Sequence, residues 1–129
     1  MLVGYPSILC ALESAHRGTI SAIPPEYDLT FAHDEFDAVE TAQQRRFKLI
    51  LLTCQGPDER YAKACIFIRT FDDETPILFI TGRHGLTEEQ AQTAGAQGVV
   101  CESDQDFAGD LKRRIEGLID GETKIFNAS

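Results

Sequence analysis

The chain has 129 residues, enough for one domain with a full core, and its hydrophobic (43%) and charged (26%) fractions are those of an ordinary globular protein. Its 12 Lys and Arg against 21 Asp and Glu give a net charge of -9, which repels a phosphate backbone and an anionic membrane surface. Direct nucleic-acid or membrane binding is therefore not expected. The apolar runs are too short to span a bilayer, and the first residues lack the basic, apolar, small-residue pattern of a signal peptide. The four cysteines, Cys10, Cys54, Cys65 and Cys101, are scattered without a C-x-x-C pair. They read as reduced thiols of a cytoplasmic protein, three of them in apolar runs where cysteine acts as a small hydrophobe.

Five short apolar runs alternate with helix-like segments. The first run is Ser7 to Leu12. The segment Ser14 to Ile23 contains Gly18 and is followed by Pro24-Pro25, so any helix there is short or broken. A second run covers Tyr27 to Phe31. Asp34 then offers an N-cap for a helix to about Arg46, with Phe36, Val39 and Ala42 at core spacing. The third run, Phe47 to Thr53, is continuously apolar up to its threonine. Pro57-Asp58-Glu59 opens the next helix, in which Tyr61, Ala64, Cys65 and Ile68 form an i, i+3, i+4, i+7 stripe. Pro76 to Thr81 is the fourth run. Thr87-Glu88-Glu89-Gln90 is a capping box, and its helix stops near Gly95. After the fifth run, Gly98 to Cys101, Asp104 offers a cap for a last helix with Phe107, Leu111, Ile115 and Leu118 as its apolar positions.

Continuously apolar strands suit a parallel sheet covered on both faces. The βα alternation predicts right-handed crossovers and a doubly wound sheet, in which the C-terminal strand ends converge on one crevice. No internal repeat or linker divides residues 1–129, which are read as one domain.

From about Ser7 to about Ile119 the pattern resembles a response-regulator receiver domain, the CheY-like group of flavodoxin-like folds. Four stretches carry the resemblance. Ser7-Ile8-Leu9-Cys10-Ala11-Leu12-Glu13 is similar to the first strand and its terminal acidic pair, and Leu49 to Pro57 to the third strand and its loop. Thr75-Pro76-Ile77-Leu78-Phe79-Ile80-Thr81-Gly82 is similar to the fourth strand with its hydroxyl residue. Ala94-Gly95-Ala96-Gln97-Gly98 is similar to the glycine-bracketed turn into the fifth strand. The resemblance implies a five-stranded parallel sheet in the order 2-1-3-4-5 with helices on both faces.

The functional positions of that family are mostly changed. Its magnesium-holding acidic pair aligns with Leu12 and Glu13, and its phosphoacceptor aspartate with Thr53. Its phosphoryl-neutralising lysine aligns with Glu102, the following proline with Ser103, and the aromatic switch residue with Val99. Thr81 alone keeps the residue type of the switch hydroxyl. A hard divalent ion needs several oxygen ligands, carboxylates among them, so magnesium binding is expected to be weak or absent and no cofactor is implied. Glu13 and Glu102 remain the weak candidates for a cation site, against the alternative of two solvated carboxylates at the crevice mouth. Thr53 as a phosphorylated hydroxyl lacks a nearby base, and Cys54 beside Arg83-His84-Gly85 lacks an orienting third residue.

The expectation is thus a pseudo-receiver: a non-enzymatic signalling domain that acts by binding protein, whether a kinase, a scaffold, an output domain or a second copy in a constitutive homodimer. The alternatives are a small-molecule or ion sensor using the emptied crevice, or a receiver phosphorylated at a non-standard residue. Two surfaces compete for the partner. One is the family's usual dimer face, built from the helix after Thr87, the fifth strand and the last helix. The other is the pair Ile66 and Phe67, which lies away from the core stripe of its helix.

Overall fold

A computed structural model describes residues 6–11, 22–54, 60–82 and 86–128. The strands are β1 (Ser7–Ala11), β2 (Asp28–Phe31), β3 (Leu49–Cys54), β4 (Ile77–Thr81) and β5 (Gly98–Cys101). They form one sheet in the order β2-β1-β3-β4-β5 with every neighbouring pair parallel. The helices are α1 (Glu35–Gln44), α2 (Arg60–Ile68), α3 (Glu88–Thr93) and α4 (Phe107–Ala128). This is the doubly wound, flavodoxin-like architecture that the alternation of apolar runs implies.

The central strands are apolar on both faces because both faces are covered. One face, with Leu9, Ile50, Leu52 and Phe79, packs against α1, α2 and α3 through Ala38, Cys65, Ile68 and Ala91. The other, with Ile8, Leu51, Leu78 and Ile80, packs against Ile23 and against Leu111 and Ile115 of α4. All five residues of β4 are buried. Strand β2 is the edge, and its terminal residues Asp28 and Phe31 are exposed.

The helix-start signals act as their chemistry predicts. The Asp34 carboxylate accepts from the N–H of Asp37, while the Asp37 carboxylate reaches back to the N–H of His33 at 2.8 Å. Thr87 and Gln90 form the reciprocal capping box. After α3 the chain turns through Gly95 at φ 103°, a left-handed conformation that favours glycine. Arg69, just past α2, closes this end of the fold: its guanidinium donates to the carbonyls of Gly95 (2.8 Å) and Asp72 (2.9 Å).

Three expectations need correction. Phe36 is not a core residue: it is 77% exposed, and Ala38 is the fully buried position of α1. Residues 36 and 38 lie about 200° apart around a helix. The small side chains of Ala38 and Ala42 let α1 approach the sheet closely and leave Phe36 outside. The last helix starts at Phe107, after a turn in which the Asp104 carbonyl accepts from the Phe107 N–H at 3.2 Å. It then runs 22 residues, well past the apolar stripe that ends at Leu118. Phe47 is buried but precedes β3, with the Arg45 guanidinium 4.8 Å from its ring centroid. Most of the segment Ser14 to Ile23 lies outside the described residues, as do Tyr61's side chain and the Pro57-Asp58-Glu59 opening of α2. Among the described residues, no helix is long and apolar enough to cross a membrane.

Candidate functional site

The C-terminal ends of β3, β4 and β5 lie side by side. Cys54 is in register with Thr81, and Thr81 with Cys101. One row earlier, Thr53 is in register with Ile80. Side chains alternate along a strand, so Thr53 shares the α4 face with Ile80 while Thr81 shares the opposite face with Phe79 and Val99. The two threonines therefore sit close in the sheet without facing the same way.

Thr53 is completely buried, and its hydroxyl donates to the Ala11 carbonyl across a long 3.4 Å contact. A buried hydroxyl needs a hydrogen-bond partner, and the Ala11 carbonyl is one that Thr53 reaches. Thr81 is 3% exposed, and its hydroxyl donates to the Gly82 carbonyl at 3.2 Å. Glu102 directly follows β5. Its N–H donates to the Thr81 carbonyl at 2.9 Å, which holds this half-buried residue at the strand-end side of the sheet. Val99 is half-buried against the α1–α3 side of the core. Next to Glu102, Cys101 Sγ and Ser103 Oγ lie 3.0 Å apart.

The acidic-pair positions Leu12 and Glu13 lie outside the described residues, as do Asp58 and the Arg83-His84-Gly85 loop. Whether Glu13 approaches Glu102 is therefore not described. Among the described residues, no group of three His, Cys, Asp or Glu side chains is placed to hold a metal ion. Among the described residues, the strand ends offer one carboxylate, Glu102, and two threonine hydroxyls that donate to backbone carbonyls. That described set alone falls short of the several oxygens, carboxylates among them, that a hard divalent cation takes.

The buried cysteines are structural. Burial pushes the Cys10 thiol up to about 12. It pushes Cys65 up to about 11 despite the nearby Arg69 charge, and Cys65 Sγ donates to the Ala94 carbonyl at 3.3 Å. Neither forms thiolate near neutral pH.

A second feature lies away from the strand ends. The outer faces of α1 and α2 enclose a groove of about 560 Å³. From α1 it is lined by Glu35, Phe36, Val39 and Glu40, and from α2 by Lys63, Ala64 and Phe67. Phe67 is 57% exposed and Ile66 53%, so both members of the pair singled out from the sequence stand at the surface. The α1 half of the groove is not evident from the sequence, where Phe36 falls at core spacing with Val39 and Ala42. The sequence offers Ala38 as a rival core position on the opposite side of the same helix, but periodicity alone does not choose between the two.

No protein-family model matches the chain, and no curated protein sequence matches it significantly. Solved structures do match in fold. The receiver domain of a Francisella response regulator superposes with a TM-score of 0.72 at 14% identity, covering 91% of this chain and 98% of its own. The receiver domain of a sensor histidine kinase from Pseudomonas aeruginosa, which coordinates magnesium in its active-site cleft, gives 0.70 at 21% identity, covering 88% and 97%. The receiver domain of a modulated diguanylate cyclase from Desulfovibrio desulfuricans gives 0.71 at 20% identity, covering 92% and 96%. The chain thus has the receiver-domain fold.

Proposed function

We propose that this chain is a phosphorylation-independent receiver-fold domain of the two-component and phosphorelay lineage, working in the cytoplasm by binding another protein. The observation that carries the reading is Thr53. It occupies the phosphoacceptor-equivalent place at the end of β3, yet it is fully buried and its hydroxyl is turned onto the Ala11 carbonyl. It has no carboxylate to attack a phosphoryl donor, and Glu102 stands where a counter-charge would have to be positive. On this reading the chain is not an enzyme and uses no magnesium. With no aromatic rotor at Val99, nothing named couples the strand ends to an output face.

A kinase, a scaffold, an output domain or another copy of the chain is the class of partner this implies. The negative charge disfavours nucleic acid and anionic membrane as direct partners. The test is to measure association by sedimentation velocity with and without acetyl phosphate and magnesium. Identical profiles are expected. A phosphodonor-dependent change in association would overturn the reading.

A further inference from the structure

We infer that the α1–α2 face takes a second copy of this chain, with α1 of one copy laid on α2 of the other. The inference rests on the protein-binding reading above and names the partner and the surface. Three exposed apolar side chains, Phe36 (77%), Ile66 (53%) and Phe67 (57%), project from two adjacent helices. Phe36 and Phe67 border the same groove, with Val39 and Ala64 also in its lining. Both helices run back from the C-terminal ends of parallel strands, so they lie roughly parallel and form half of a four-helix layer. A second half of the same shape would cover both phenylalanines.

The charges choose the occupant and its orientation. The α1 rim carries Glu35 and Glu40, and the α2 rim carries Lys63, which makes no ion pair among the described residues. A two-fold axis across the helices would set α1 on α1, with glutamates against glutamates and lysine against lysine. A two-fold axis along the groove sets α1 on α2, and each Lys63 meets the glutamate rim of the other copy. The surface is self-complementary only in that second arrangement. A uniformly cationic partner helix would instead meet Lys63 inside the groove. The net charge of -9 on each copy opposes association, but at physiological ionic strength that repulsion is screened beyond about 8 Å, whereas contact pairs are screened less.

Sedimentation equilibrium up to millimolar concentration tests this with the unmodified protein and three variants at exposed positions. The unmodified chain should dimerise, and Phe67→Glu should raise the dissociation constant at least about tenfold. Glu40→Lys and Lys63→Glu should each weaken self-association. An equimolar mixture of those two should recover it, because the mixed dimer restores an opposite-charge pair on both sides. Far-UV circular dichroism checks folding, and if Phe67→Glu unfolds, the charge mixture alone decides. A monomer throughout overturns the inference, as does a dimer indifferent to all three changes, or a mixture no tighter than either variant alone. Each of these results leaves the phosphorylation-independent reading standing. A dimer that forms only with acetyl phosphate and magnesium would instead overturn that reading.

Discussion

Replacing Thr53 by aspartate should destabilise the domain and still not restore phosphorylation. The site is completely buried on the α4 face, in register with Ile80, and its hydroxyl serves the Ala11 carbonyl. A carboxylate there loses its hydration and finds no described cation. A rise of about two units in its pKa is the modest end of what burial produces and corresponds to about 3 kcal/mol at neutral pH. Loss of the donor to Ala11 adds about 1 kcal/mol, small because the existing contact is long. Thr53→Val isolates that second part and should cost about 1 kcal/mol. The aspartate's folded pKa lies above its unfolded one, so the penalty is absent below the unfolded value of about 3.9 and complete above the raised folded value. Urea unfolding at about pH 5 and about pH 8 should therefore show a larger deficit at the higher pH. Adding Leu12→Asp and Glu102→Lys should recover some phosphorylation by supplying the missing ligand and counter-charge. A Thr53→Asp protein as stable as Thr53→Val at both pH values, or phosphorylated as readily as the triple variant, would contradict this.

Gly95→Ala should cost about 1–3 kcal/mol in urea unfolding, because φ is 103° there and an added Cβ would stand 2.8 Å from Arg69 Cγ. In an Arg69→Ala background the clash disappears and the backbone part remains, so the two effects should be non-additive. Partial burial pushes the Asp72 carboxyl up, but bonds from the Thr75 hydroxyl and N–H and the Glu74 N–H, with the Arg46 charge, outweigh this and hold it below the usual range. Its stabilisation is full above the ordinary value of 3.8 and is lost as pH falls through the lowered one. Asp72→Ala should therefore cost about 1–2 kcal/mol at neutral pH and flatten the acid limb of the stability curve. In the folded protein, Cys10 and Cys65 should resist a thiol reagent at pH 8 that labels both after unfolding; rapid native labelling of either would show its burial to be transient.

Much of the fold was legible because local chemistry and global pattern agree. Continuous apolar runs of strand length gave β1, β3 and β4, and their burial on both faces is what such runs mean. The Asp34 cap, the Thr87–Gln90 box and the Gly95 stop are local bonds that need no tertiary information. Phe36 was not legible in the same way. Its helix offers two apolar stripes, and the choice between them depends on how closely α1 packs on the sheet, which periodicity does not encode. At the candidate site, the sequence shows which residue types stand at Thr53, Val99 and Glu102. It did not reveal that Thr53 and Thr81 face opposite sides of the sheet, which follows from the register of β3 on β4.

The most direct test is intact mass spectrometry of the unmodified protein after incubation with acetyl phosphate and magnesium, followed by peptide mapping. An unchanged mass is expected, because Thr53 is a buried hydroxyl without a carboxylate nucleophile at the end of β3. A phosphate increment mapped to Thr53, or to Asp58 five residues further on, would contradict it.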